Sequence, residues 1–222
     1  MGKALAAFER TRLSTEAPFD RFLHGDQKAL NASQRRGWAL FTGKAGCGSC
    51  HTYDPALPLF GDNRSHNTGA GARKQDFNQM ARRAEKSAEA DSKSEIDKLA
   101  LETEYSGLGR FLVTRKRQDV GAFKTPFLRD TLLTGPYMHD GSLETLWDVI
   151  EFFNKGGERN PFLDAGMKPL GLTSSEVDDL VNFLGALTSD RFAELRAAEL
   201  DRQRTSYLYR IAVQRETHKD SR

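Results

Sequence analysis

The chain has 222 residues, 38% of them apolar, with 33 Lys or Arg against 31 Asp or Glu and a net charge of +2. That is enough length and apolar content for a sizeable core, and the near balance of charge excludes the basic footprint of a nucleic-acid binder. No apolar run approaches the roughly 20 residues of a membrane span.

Met1-Gly2-Lys3 leads directly into Ala4-Leu5-Ala6-Ala7-Phe8 without a signal-peptide cleavage pattern. Residues 3–13 read as a first helix, broken by Pro18-Phe19, with Phe22 and Leu23 following at helical spacing. Asn31 or Ser33 caps a helix carrying Trp38, Leu40 and Phe41, which Gly43 and Gly46 end.

Directly behind that helix stand the only two cysteines of the chain, in Cys47-Gly48-Ser49-Cys50-His51. A C-x-x-C-H string is the attachment pattern of a c-type haem. Each thiol can form a thioether to one vinyl group, and His51 can place its imidazole under the iron as proximal ligand. The spacing matters because one helical turn must present both sulfurs and the ring to one porphyrin. A redox dithiol would stand beside a βαβ pattern, which is not found. A zinc site would need a second Cys or Cys/His pair at finger spacing, and none follows. Two structural thiols are the plain alternative.

Residues 52–72 are loop-like, rich in Gly, Pro, Asn and Asp. Residues 73–104 are rich in Ala, Lys, Glu and Arg, with Phe77, Met80, Ile96, Leu99 and Leu101 as the few large apolar groups. They read as a charged surface insertion of one or two solvated helices, or as a disordered excursion, because little apolar surface offsets the ordering entropy. Residues 105–142 are again loop-rich. Ser142 or Thr145 caps a helix with Leu146, Val149, Ile150 and Phe153, ended by Gly156-Gly157. Thr173-Ser174-Ser175-Glu176 is a capping box opening a helix with Val177, Leu180, Val181, Leu184 and Leu187 on one face. Ser189 caps a last charged helix toward residue 216, its stripe of Phe192, Leu195, Leu200, Tyr207, Leu208 and Ile211 only partial.

No alternating strand run is convincing. The helix-then-motif order fits an all-α, class I cytochrome c-like domain over 1–188, carrying the insertion at 73–104. Residues 189–222 form a C-terminal helical extension that lies across the domain or docks on a partner.

With His51 below the iron, the opposite ligand decides the chemistry: one protein ligand leaves the iron open, two make an electron carrier, and a thioether raises the potential. Met138, in Gly135-Pro136-Tyr137-Met138-His139-Asp140-Gly141, sits in a loop punctuated by Pro and Gly and is the favoured sixth ligand. Met167 lies in a comparable loop, Met80 reads as a packing residue, and Met1 is terminal. His139 and Tyr137 are the other candidates. His66 reads as a haem-rim or domain-contact residue, His24 and His218 as surface residues. Arg64, Arg110 and Arg129 are candidate partners of a haem propionate. Trp38 and Trp147 pack in the core or against the porphyrin.

These residues carry a family resemblance. The segments Ala4-Leu5-Ala6-Ala7-Phe8-Glu9-Arg10-Thr11, Pro18-Phe19-Asp20-Arg21-Phe22, Gly37-Trp38-Ala39-Leu40-Phe41, Gly121-Ala122-Phe123-Lys124-Thr125-Pro126-Phe127-Leu128-Arg129, Gly135–Ser142 and Pro169-Leu170-Gly171-Leu172-Thr173 occur in that order around the haem motif. Over about residues 4–188 the chain resembles the C-terminal haem domain of the bacterial di-haem cytochrome c peroxidases and MauG-type proteins. The resemblance implies one covalent haem c, held by Cys47, Cys50 and His51, acting as the electron-transfer module of a peroxidase-type oxidoreductase, with Met138 the distal ligand favoured from its loop. It implies a second haem domain or a redox partner protein, where the peroxide-facing haem would reside, and no catalytic side chain here. It also implies a calcium ion between domains, near carbonyls at Thr125-Pro126, while covalent attachment of haem c on the exported side of a bacterial membrane leads to the expectation of periplasmic residence, in a mature or trimmed chain. A stand-alone electron carrier, or a subunit of a larger respiratory or dehydrogenase complex, is the alternative.

Overall fold

The computed structural model describes residues 2–11, 14–55, 59–73, 76–89, 94, 97–98 and 101–219. The expectations for Met1, Ile96 and Leu99, and for the side chain of His218, lie outside what is described. The helices are α1 Gly2–Glu9, α2 Pro18–Leu23, α3 Ala32–Thr42, α4 Phe77–Glu89, α5 Phe111–Thr114, α6 Leu146–Asn154, α7 Ser174–Gly185 and α8 Ala193–Lys219, linked by loops with short 3-10 turns. Two-residue strands, β1 Ser65–His66 and β2 Phe123–Lys124, pair antiparallel with Ser65 opposite Lys124 and His66 opposite Phe123. The fold is all-α, as the periodicity indicates.

Local chemistry starts the main helices. Asn31 caps α3: its side chain accepts from the Gln34 N–H at 2.9 Å, while the Gln34 side chain accepts from the Asn31 N–H at 3.0 Å. Thr145 and Thr173 cap α6 and α7 in the same reciprocal way with Asp148 and Glu176. Ser189 does not act as the expected cap. Its hydroxyl and N–H both donate to Asp130, at 3.1 and 2.6 Å, so a tertiary carboxylate has claimed it.

The fold is organised on the crossing of α3 and α7. Gly37 makes that approach: a Cβ there would lie 2.0 Å from the Asp179 carbonyl oxygen. Beside it, Arg36 donates twice to the Asp179 carboxylate at 2.7 and 2.8 Å, and Ser33 donates to it at 2.6 Å. Phe183 of α7 then joins Phe19, Trp38, Phe41 and Phe60, with ring centroids 4.9–6.4 Å apart in mostly edge or tilted contacts. Trp38 is thus a core residue. Trp147 is also buried, and its Nε1–H donates to Asp178 at 2.7 Å.

The charged segment after residue 73 differs from the expected solvated excursion. In α4, Phe77, Met80, Ala81 and Ala84 fall at i, i+3, i+4 and i+7 and are buried against Tyr105, Leu108, Phe111 and Val120 as a second small core. Two of the four are alanines, which is why counting large apolar groups underestimates this face. Leu101 is exposed.

Helix α8 lies back on the domain. Leu200 and Tyr207 pack on the main core, whereas Leu195 and Leu208 of the expected stripe are exposed. The residue this helix buries completely is polar, Gln203. Among the described residues no helix is long and apolar enough to cross a membrane.

Candidate haem site

Helix α3 delivers the motif. It closes at Gly43, whose N–H donates to the Ala39 carbonyl at 2.9 Å, and the chain reverses through Gly46 in the left-handed region at φ 64°. Glycine reaches that region without steric cost. A 3-10 turn, Cys47–Ser49, follows, and the Cys50 and His51 N–H groups both donate to the Cys47 carbonyl, at 3.3 and 2.9 Å. One turn therefore presents two sulfurs and an imidazole.

Both cysteines are free thiols. Burial pushes the Cys47 thiol up to about 11. Burial raises Cys50 as well, and the Asp62 and Asp164 carboxylates add to the rise. A redox dithiol needs a depressed thiol pKa, so these surroundings argue against that alternative. His51 is held by its Nδ1, 3.0 Å from the Phe60 carbonyl, with its ring 6.4 Å from that of Phe41. With Nδ1 donating, the tautomer leaves the Nε2 lone pair for a metal. Burial lowers the His51 pKa, only partly opposed by the Phe60 carbonyl, Asp62 and the Pro126 carbonyl, which favours the neutral ring that ligation requires.

Met138 and Cys47 pack on the same main core, whereas Met80 belongs to the small second core and Met167 sits against Gly157. Met138 is half-buried and adopts φ 70°, an uncommon backbone for a side chain with a Cβ. It opens a tight loop that the Tyr137 N–H closes by donating to the Leu143 carbonyl at 2.6 Å. Tyr137 is a poor ligand candidate: its buried hydroxyl lies 2.9 Å from Gln203 Nε2 and 3.2 Å from the Thr131 and Leu132 carbonyls. Burial pushes that phenol up to about 12. His139 lies flat on Phe123, with centroids 4.2 Å apart.

The candidate propionate arginines divide. Arg129 is almost fully buried and donates to Asp20 at 2.8 Å and to the Ser14 carbonyl at 3.0 Å, so it is a structural ion-pair residue. Arg110 pairs with Asp119 at 3.5 Å, and Arg64 is exposed.

His66 has a larger role than its sequence suggests. Its Nε2 lies 2.8 Å from Asp62 and its Nδ1 2.9 Å from Asp164. Burial alone would lower its pKa, but the two carboxylates outweigh it and leave the pKa raised. Asp62, against burial, is held down at about 2 by His66, the Arg64 N–H and Thr125. Cys50, Asp62 and His66 come close enough to hold an ion. Both ring nitrogens already face carboxylates, however, so His66 serves as an imidazolium between two anions rather than as a ligand. The Asp62–His66 spacing of four hinted at this pair, while Asp164 was invisible at that distance along the chain.

Two half-buried thiols one turn apart, with a neutral, backbone-oriented imidazole directly after them, define a c-type haem domain. No family model matches the chain. It is 40% identical over 194 residues to the cytochrome-c peroxidase IdrP1 of Denitromonas iodatirespirans, covering 83% of this chain and 48% of that protein. It is also 40% identical over 190 residues to the methylamine utilization protein MauG of Methylorubrum extorquens, covering 84% of this chain and 43% of that one. In three dimensions it resembles a MauG-like protein associated with microbial copper homeostasis, with TM-score 0.62, 26% identity, and coverage of 84% of this chain and 56% of that one. The diheme peroxidase BthA of Burkholderia thailandensis, at TM-score 0.54 and 22% identity, shares the fold. The homologues of the chain are cytochrome c peroxidases and MauG, and it spans about half the length of the curated relatives it matches. Haem c is the cofactor that these homologues support.

Proposed function

We propose that this chain is the electron-transfer haem module of a di-haem peroxidase-like oxidoreductase. The observation that carries the reading is the turn Cys47–Ser49, which follows α3 with both thiols free, and His51 fixed through Nδ1 so that Nε2 is available. Cys47 and Cys50 would hold one haem c by thioethers, His51 would be the proximal ligand and Met138 the distal one. Haem c supplies a one-electron iron couple, and a methionine sulfur raises its potential. The protein's part is to exclude water with the Phe41 and Phe60 side of the core, to keep His51 neutral, and to hold Met138 in place.

No side chain here is assigned an acid–base role, so peroxide chemistry would reside on a second haem domain or subunit. The half-length match to the relatives supports such a partner. Calcium takes about six to eight oxygen ligands, so a site near Thr125 and Pro126 would need oxygens from that second domain. Residence on the exported, periplasmic side follows from haem c attachment. A second reading, a stand-alone electron carrier or a subunit of a larger complex, is favoured by Leu208 and Tyr209, exposed on α8 in the manner of a docking surface.

Two measurements test the proposal. The oxidised holoprotein is expected to show the weak sulfur-to-iron charge-transfer band, and Met138→Ala to abolish it; a band that survives rejects Met138. The chain alone is expected to exchange electrons with a small donor but to turn over no peroxide; sustained turnover by the isolated chain rejects the module reading.

A further inference from the structure

We propose that Tyr53 is the surface end of an electron route that runs through the ring and carbonyl of Phe60 to His51, and that a small one-electron donor protein meets the chain there. The inference deepens the electron-transfer reading and rests on it, with His51 as the proximal ligand. Phe60 is fully buried and meets the rings of Phe19, Trp38, Phe41, Tyr53 and Phe183. Of these rings, that of Tyr53 is the exposed one, with 37% of the residue open to water.

Tyr53 stands two residues behind His51. Its ring stacks on Phe60, with centroids 5.8 Å and planes 18° apart. The Phe60 carbonyl in turn lies 3.0 Å from His51 Nδ1. One ring contact, the bonds of one residue and one hydrogen bond thus join the surface to the imidazole. Electron tunnelling falls off steeply across empty gaps and less through bonds and close contacts, so a route with one ring-to-ring step is an efficient one. A second branch needs more steps. Tyr53 meets Trp38 edge-on at 5.1 Å, Trp38 stacks on Phe41 at 6.0 Å, and Phe41 lies 6.4 Å from the His51 ring.

The backbone holds the shorter route in place. The Gly61 N–H donates to the Thr52 carbonyl at 3.0 Å, tying the residue after Phe60 to the residue before Tyr53. Phe60 itself sits at φ 61°, a left-handed conformation that a residue with a Cβ seldom adopts. Such strain persists only where the surroundings over-determine it, and it clusters at functional sites. A ring that served only to fill the core would be covered, as Phe19, Phe41 and Phe183 are. Tyrosine is enriched where proteins meet, because it presents an apolar ring with a wet polar tip. In each transfer the donor loses one electron and the haem iron passes from ferric to ferrous. No bond or proton changes hands, and Tyr53 is not itself oxidised.

The test is stopped-flow reduction of the ferric holoprotein at rising concentrations of a reduced blue-copper protein, which separates the plateau rate from the half-saturating concentration. Hexaammineruthenium(II), an ion small enough to reach the porphyrin edge directly, is the control reductant. Tyr53→Ala is expected to lower the plateau rate about tenfold, and Tyr53→Phe to keep it at the wild-type value, because the ring and not the hydroxyl makes the contact. Phe60→Leu keeps the carbonyl on His51 and leaves the surface intact. It is expected to lower the plateau with the half-saturating concentration unchanged; if it does not fold, the plateau of Tyr53→Ala decides. The reduction potential and the rate with the ruthenium ion are expected to stay at wild-type values throughout, and Tyr209→Ala to change nothing. A Tyr53→Ala variant with only a raised half-saturating concentration makes Tyr53 a docking contact and overturns the route. A wild-type chain reduced by the ruthenium ion but not by the copper protein overturns Tyr53 as the donor's meeting point. A chain that neither reagent reduces overturns the electron-transfer reading itself.

Discussion

Gly37→Ala sets two effects of opposite sign against each other, and the structure decides between them. An alanine in a helix interior is favoured over glycine by about 1 kcal/mol, so propensity alone makes the variant more stable. The new Cβ, however, would lie 2.0 Å from the Asp179 carbonyl oxygen, 2.7 Å from its carbonyl carbon and 2.7 Å from Phe183 Cβ. Heavy atoms make their best contact at about 3.5–4.0 Å, so α3 and α7 must part by on the order of 1 Å. Two of the three obstacles are backbone atoms and cannot swing aside. Overpacking of this kind costs about 1–3 kcal/mol. The upper end applies, because parting the helices also loosens Phe183 from Trp38 and Phe41, now 5.3 and 5.2 Å away. After the propensity gain the net loss is about 2 kcal/mol, or a Tm lower by about 4–8 °C for a domain of this size. Thermal unfolding of the holoprotein followed by far-UV circular dichroism is the assay. A Tm equal to or above that of the wild type would refute the close approach of these helices.

Further outcomes follow from the charged groups. Asp62, held down to about 2 from an ordinary 3.8, contributes about 2 kcal/mol that is present above pH ~4 and lost as pH falls through its folded value. His66, with a raised pKa, contributes stability that is full below its ordinary 6.5 and lost as pH rises through its folded value. The stability difference between wild type and His66→Gln in urea unfolding is therefore expected to peak between about pH 4 and 6.5 and to shrink on both sides; a difference that does not vary with pH would count against the paired imidazolium. Arg129→Ala strips Asp20 of its buried partner, leaving it the Ala17 N–H at 2.8 Å. The expected loss is about 3 kcal/mol, the low end for breaking a buried pair, with no change in reduction potential. A shift in potential without loss of stability would return Arg129 to the haem.

What could be read in advance was local. The caps at Asn31, Thr145 and Thr173 need only a partner three residues away, and Cys47, Cys50 and His51 carry their chemistry within one turn. What stayed hidden depends on groups far along the chain. Ser189 is a good cap by type but serves Asp130, and Arg129 has the geometry for a propionate but meets Asp20. Helix α4 was obscured because alanines supply half its buried stripe. Gln203 gives no signal in the sequence, because a glutamine in a charged helix normally faces water. Only a fold that brings Leu132, Tyr137 and Leu146 to one point makes its burial favourable.

The most direct test of the central claim is the mass of the denatured, correctly matured chain. The expected value is that of the polypeptide plus one haem, retained through acid-acetone extraction and absent after Cys47→Ser/Cys50→Ser. A bare polypeptide mass, with the pigment passing into the acetone, would contradict it.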